Sequence, residues 1–328
     1  MPLVRIFPGV YEENLILYKS IWLQGSVPGE PERVILRGRV QDSSLPLALF
    51  VAGSLNVGIG IENLTLQGGL QVSGMVTGLI RNNLFLPEEN SGISGLFLSG
   101  QLHLVISDNI IVGGNLFNEG ITLQDVSFLP LPVDGTIVIA SEQLPYSVVL
   151  LQNEIREVSD RPRSKPGTGI SVRNANRVLL KGNRIYNNSG SGIEIRSSTF
   201  VTIRETRVER NGDGLDIRES LGIRIEAGEI RYNRGDGILL EDGVYAVEGS
   251  RIVANGETGI ALVGGSPTFI QRYAITGNFI AENGVGLKAG VDLDRVVCRG
   301  NRIEQNRNAD YMQGSQVSPE LRAHCEED

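Results

Sequence analysis

Gly192-Ile193-Glu194-Ile195, Gly214-Leu215-Asp216-Ile217, Gly237-Ile238-Leu239-Leu240 and Gly259-Ile260-Ala261-Leu262 repeat one short phrase: a glycine, then apolar, variable, apolar. The same phrase opens at Gly169 and at Gly286, so the six copies are separated by 23, 22, 23, 22 and 27 residues. Each unit carries a second apolar run, at Val178–Leu180, Val201–Ile203, Ile223–Ile225, Tyr245–Val247 and Val296–Cys298. A third run follows, centred on Ile185, Val208, Ile230, Ile252, Ile280 and Ile303. Looser copies begin at Gly95, Asn109 and Gly120.

Three runs of about three residues in a unit of roughly 22 are too short for helix pairs or propeller blades. Alternation with a period of two turns the Ile, Leu and Val inward and the residue between them outward. No such unit holds a core alone, but stacked units share one. The pattern predicts an all-β right-handed parallel β-helix, a solenoid of about a dozen coils. It also accommodates 328 residues, more than the roughly 250–300 that one globular core serves. Glycine makes up 41 of those residues, nearly twice the usual share of about 7%. The glycine opening each copy is expected at positive φ, where it lets the chain turn sharply. Asn188, Asn211, Asn233, Asn255, Asn283 and Asn306 recur before the same turn and are expected to stack there as a structural ladder.

Thirty Lys and Arg against 38 Asp and Glu leave a formal charge of −8. That balance disfavours nucleic acid as a partner. No run approaches the ~18 apolar residues of a membrane helix, so no membrane insertion is expected. No signal peptide is read after Met1, and the compartment stays open. Cys298 and Cys325 form no disulfide framework; Cys298 is expected as a small core residue and Cys325 in the tail. His103 and His324 are isolated, which excludes a histidine-based metal site or triad. His103 is expected on an outward strand position.

The opening Ile6–Leu17 and Ser20–Gly25 resemble the first coil of the pectate-lyase-like superfamily, with the wording also found in pectin methylesterases and NosD-like β-helices. The later units resemble the generic β-helix repeat of that superfamily, and together they cover roughly residues 3–312. The resemblance implies a β-helix over 1–312 followed by a polar C-terminal tail, 313–328, lying over the last coil. It also implies an N-terminal helix capping the first coil, and none precedes Leu3. An uncapped coil suggests contact with a partner or a second copy. The repeat serves lyases, hydrolases, epimerases, esterases and non-enzymatic scaffolds alike. The paired aspartates of pectin methylesterases and the Asp-Pro-His-Glu cluster of alginate epimerases are absent. Asn211-Gly212-Asp213-Gly214-Leu215-Asp216-Ile217 resembles a polygalacturonase segment, and Gly235-Asp236 stands where that family's Gly-Asp-Asp would begin. The second Asp of that motif is Gly237 here.

Period-2 alternation places Ser171, Glu194, Asp216, Leu239, Ala261 and Lys288 in one outward column, and Arg173, Arg196, Arg218, Glu241 and Val263 in the next. Glu194 and Asp216 would then stand one strand spacing apart, about 4.8 Å, near the separation of a retaining glycosidase pair. Like charges so close raise one pKa. The competing reading is a surface ladder of ion pairs. Turns into the glycine strand are longest in the N-terminal half, from Phe85, Ile111 and above all Ile155, and insertions on one face of a solenoid often mark its binding side. Irregular stretches at Phe128–Gly135 and Gly264–Arg272 also break the repeat. Arg161, Arg163 and Lys165 in the long loop, with Arg173, Arg196 and Arg218, are candidate contacts for an acidic polysaccharide, since Arg grips carboxylates bidentately. Glu194, Asp213, Asp216 and Asp236 are the candidate catalytic residues. No cofactor is required. If the protein works as superfamily lyases do, Ca²⁺ would be held by Asp213, Asp216 and Asp236. The leading expectation is a polysaccharide-directed binding or scaffold module. The alternatives are a lyase or glycoside hydrolase acting on uronate polymers, and a structural assembly protein.

Overall fold

A computed structural model describes residues 1–38, 47–88, 94–114, 118–128, 146–159, 166–264 and 270–326. Over them the chain winds as a right-handed parallel β-helix with three walls. The first wall takes the glycine-led strands, among them Ile193–Arg196, Leu215–Arg218 and Ile238–Glu241. The second takes Thr199–Arg204, Leu221–Glu226 and Val244–Glu248, and the third Arg207–Glu209, Glu229–Arg231 and Arg251–Val253. The third wall alone runs from Gly9–Glu12 to Arg302–Glu304 through twelve strands among the described residues.

Pairing between coils is parallel and in register, so like stacks on like: Ile193 on Leu215 on Ile238, and Ile195 on Ile217 on Leu240. All six side chains are buried, in one core that extends from Leu23 to Cys325. Each contributes about 1.5–3 kcal/mol by leaving water.

The turn from the third wall to the first corrects one expectation. Gly169, Gly192, Gly214, Gly237, Gly259 and Gly286 do not adopt positive φ. The left-handed residues of these turns are Asn187, Arg210, Tyr232, Ala254, Glu282 and Gln305, at φ of 56 to 60°. The glycines are required by close approach: a Cβ on Gly214 would lie 2.2 Å from the carbonyl oxygen of Gly237 and 2.6 Å from a methyl of Ile230. The asparagine ladder forms as expected. Asn211 Nδ2 donates to Asn233 Oδ1, Asn233 to Asn255, Asn255 to Asn283 and Asn283 to Asn306, at 2.9 to 3.2 Å. Each Oδ1 also accepts the backbone N–H of the asparagine before it. A second ladder, not anticipated, runs Asn83, Asn109, Asn153, Asn183 at the turn between second and third walls.

The N-terminal half departs from three short strands per unit. Leu49–Glu62, Leu70–Arg81 and Ser94–Ser107 each run through both the first and second walls. The corner is made by glycine, since a Cβ on Gly74 would meet the Gly53 carbonyl oxygen at 2.1 Å. Among its outermost residues, Leu3, Phe7, Val10 and Ile16 are exposed. His103 sits between core residues Leu102 and Leu104 at the outward position expected, yet it is only 3% exposed, and burial lowers its pKa against an opposing backbone hydrogen bond at Tyr146.

At the other end, Ala309–Gln313 pairs antiparallel with Gln316–Val317, and a helix, Pro319–Glu326, follows. Ser318 Oγ accepts the Leu321 N–H at 3.0 Å to cap that helix, and Leu321 is buried. The state of the two cysteines, open in the sequence, is settled here. Cys298 lies inward on the second wall and Cys325 in the helix, and they form a disulfide. Two cysteines in a chain of this length carry no spacing pattern, which is why the link was illegible.

Two outcomes test this account. Asn233→Ala strands the Asn211 donors and the Val208 carbonyl, so urea unfolding should show a loss of at least about 2 kcal/mol. Cys325→Ser opens a loop of 27 residues, worth about 3–4 kcal/mol by chain entropy. Because coils touch only neighbours, hydrogen exchange should rise in the last coils and not around Gly192–Leu240.

Candidate functional site

The outward columns of the first wall stand in the register expected: Thr122, Ser171, Glu194, Asp216, Leu239, Ala261 and Lys288 in one. Arg173, Arg196, Arg218, Glu241 and Val263 form the other. Glu194 and Asp216 are therefore direct neighbours on adjacent strands. They are not bare. Arg173 Nη2 lies 2.7 Å from Glu119 Oε1 and 3.6 Å from Glu194 Oε1. Arg196 bonds Glu194 through Nε and reaches Asp216 Oδ2 at 3.3 Å through Nη2. Arg218 Nε lies 2.7 Å from Asp216 Oδ1, and its Nη1 lies 3.0 Å from Glu241. The result is one alternating chain of charge: Glu119, Arg173, Glu194, Arg196, Asp216, Arg218, Glu241. Its carboxylates are the less exposed partners, which strengthens the pairs relative to those fully in water. The hydrogen bond from Arg218 to Asp216 holds the guanidinium proton more tightly than usual, with burial opposing it.

Asp213 and Asp236 lie off these columns, in the turn that leads into them. Asp213 Oδ1 accepts the Asp236 N–H at 3.1 Å, and Asp236 Oδ1 accepts the Thr258 N–H at 2.8 Å. They staple successive turns together. Burial pushes the Asp213 carboxyl above the usual Asp range. The hydrogen bond from Asp236 opposes that rise, and the negative charges of Asp236, Asp216 and Glu257 add to it. Of the candidates, then, the structure gathers Glu194, Asp216, Arg173, Arg196 and Arg218 into one network, with Asp213 and Asp236 beside it. Arg161, Arg163 and Lys165 lie outside the described residues, as do most of Phe128–Gly135 and Gly264–Arg272.

A calcium site does not fit this arrangement. Both Asp216 oxygens face guanidinium groups, and one oxygen each of Asp213 and Asp236 is tied to backbone. Among the described residues no three acidic, His or Cys groups converge to hold a metal.

Sequence reasoning missed the start of the network. Glu119, immediately before the looser copy at Gly120, is buried and bonded both to Arg173 and to the Thr122 hydroxyl. The buried Ser171 hydroxyl beside them has no hydrogen-bond partner among the described residues. On the third wall, Glu209 is buried between Arg184, at 3.2 Å, and Arg231, at 2.9 Å. Burial alone would raise its pKa, but hydrogen bonds from Arg231 and Arg184 outweigh it and hold the carboxyl below the usual range. Beside it, Arg184, Arg207, Glu229 and Arg251 stack in one charged column.

The raised Asp213 has a signed consequence. From the ordinary Asp value, about 3.9, up to the raised folded value, the folded chain binds more protons than the unfolded one. Stability therefore falls as pH rises through that window. Asp213→Asn still accepts the Asp236 N–H, so denaturation curves from pH about 4 to about 7 should show a smaller loss than wild type. An equal or steeper loss in the variant would mean the carboxyl carries no such penalty.

The family described as right handed beta helix region matches residues 134–272 and 213–322. No curated protein sequence matches the chain. Among solved structures, the Dettilon tailspike protein aligns over 94% of this chain and 61% of its own, with TM-score 0.59 and 15% identity. This chain thus spans under two thirds of that protein. The mannuronan C-5 epimerase AlgE4 A-module of Azotobacter vinelandii aligns over 96% of this chain and 91% of its own, with TM-score 0.55 and 12% identity. The periplasmic alginate epimerase AlgG aligns over 93% and 78%, with TM-score 0.54 and 13% identity. At these identities the likeness is one of fold.

Proposed function

We propose that this chain, which belongs to the right-handed β-helix family, is a polysaccharide-directed module that binds rather than cleaves. The observation that carries this reading is the state of the candidate carboxylates. Glu194 and Asp216 are each bonded to arginine, and Asp213 and Asp236 staple backbone. A general acid must donate its proton to substrate and a nucleophile must reach it. Carboxylates held this way serve the solenoid first. The polysaccharide direction draws support from structures of the same fold named for mannuronan and alginate epimerases. A long, flat wall with charge repeating at each coil also suits an extended polymer better than a small molecule, which favours an enclosed pocket.

The enzymatic alternative, a lyase or glycoside hydrolase acting on uronate polymers, is favoured by one observation. Asp213, with its raised pKa, lies close enough to Asp216 and Asp236 to feel their charge, as a general acid does. Incubation with alginate and polygalacturonate, followed by ultraviolet detection of unsaturated ends, a reducing-end assay and proton NMR, separates the two. The expected result is binding without product, alike in wild type and in the Asp213→Asn/Asp216→Asn variant. Product from wild type that disappears in a folded double variant overturns the binding-only reading.

A further inference from the structure

The second wall carries a groove of about 750 Å³ that the charge network of the first wall does not touch. Its floor is a column of small outward residues, Ala246 and Ala274, ending at the exposed Val297. One departure from the regular repeat borders it: a 3₁₀ turn, Leu293–Arg295, is inserted before Val296.

The arginines here differ from those of the first wall. Arg272 is exposed and makes no ion pair among the described residues. Arg224 stands 3.9 Å from Glu226, whose other oxygen Arg204 already holds at 2.6 Å. Arg295 is oriented by a hydrogen bond to Gln271 Oε1 at 2.7 Å and lies 3.2 Å from Asp292. Glu248 and Asp294 also line the groove. Positive charge exceeds negative among the described lining residues; Arg272 makes no ion pair there, and Arg224 makes only its long contact to Glu226. By register they are two coils and two residues along the strand apart, roughly 12 Å at about 4.8 Å per coil and 3.3 Å per residue. At the groove's end, beside Gly222, the Phe200 ring is 61% exposed and lies where a Gly222 Cβ would touch it at 3.1 Å. An exposed aromatic face held against backbone is a platform for the apolar face of a sugar ring.

We propose that this groove binds an acidic oligosaccharide, with Arg224 and Arg272 each taking a carboxylate, Glu248 and Asp294 accepting hydroxyl donors, and Phe200 stacking on a ring. The assignment rests on the polysaccharide-directed reading and gives it an address on the second wall. Guanidinium recognition of carboxylate is bidentate and charge-assisted. The alanine column provides room for a pyranose ring where larger outward side chains close the wall elsewhere.

The test is calorimetric titration of the full chain with defined oligogalacturonates and oligomannuronates, and with neutral oligosaccharides of matched length. Wild type is compared with Arg224→Gln/Arg272→Gln and with Ala274→Trp, which fills the floor. Circular dichroism and melting confirm folding; if Ala274→Trp does not fold, the arginine variant decides alone. The expected result is binding of an acidic oligosaccharide, weakened by at least about tenfold in the folded variants. Equal binding by wild type and both variants overturns the groove while leaving the polysaccharide reading intact. Preference for a neutral oligosaccharide overturns the carboxylate assignment. Absence of binding to any glycan overturns the groove and removes the reading on which it rests.

Discussion

Every coil of this protein climbs by one strand spacing, about 4.8 Å, and that small rise constrains everything else. Where the first-wall strands open at Gly169, Gly192, Gly214, Gly237, Gly259 and Gly286, the backbone of one coil passes so close to the next that only hydrogen fits, which is why glycine stands there. The same closeness brings side-chain amides of successive coils within bonding distance, so a buried asparagine finds its partner in its own counterpart. A residue that suits one coil thereby suits all of them, and inward positions converge on Ile, Leu and Val. Packing of this kind leaves no room for a lone deviation, because each side chain is floor to one neighbour and ceiling to another.

The rule also governs the outer faces, with a different result. Like charges stack within each column of the first wall, and ion pairs that cross between the columns offset them: acid, arginine, acid, arginine, from Glu119 to Glu241. On the third wall the device is reversed in proportion, with two guanidinium groups converging on the single buried Glu209. These networks hold arginine and carboxylate in fixed positions. On the second wall, Arg272 makes no ion pair among the described residues.

What was legible in the sequence follows from the same periodicity. The fold, the inward residues, the first-wall register and the asparagine ladder at Asn188–Asn306 all repeat, and repetition is visible without coordinates. The glycines were placed correctly but explained wrongly, since a spacing identifies a restricted position and not the cause of the restriction. The charge network was half visible: Glu194, Asp216 and their arginines fall on regular copies, whereas Glu119 belongs to an irregular one. Features that occur once were illegible. The pairing of Cys298 with Cys325, the burial of His103 and the second asparagine ladder through unevenly spaced coils depend on where the chain goes between repeats. The groove on the second wall belongs to this group, because the alanine pair on its floor, Ala246 and Ala274, spans only two coils.

The disulfide joins Cys298, in the last full coil, to Cys325, in the helix that follows it. Both sulfurs travel with the same end of the molecule. An internal coil such as the one opening at Gly214 presents to each neighbour the surface it receives from the other. Duplication of that coil would thus lengthen the wall without asking the terminal clasp to span a new distance. In a globular domain a cross-link of this sort usually fixes overall size. Here it fixes only where the spiral stops, and leaves the number of turns before it as a free variable for evolution.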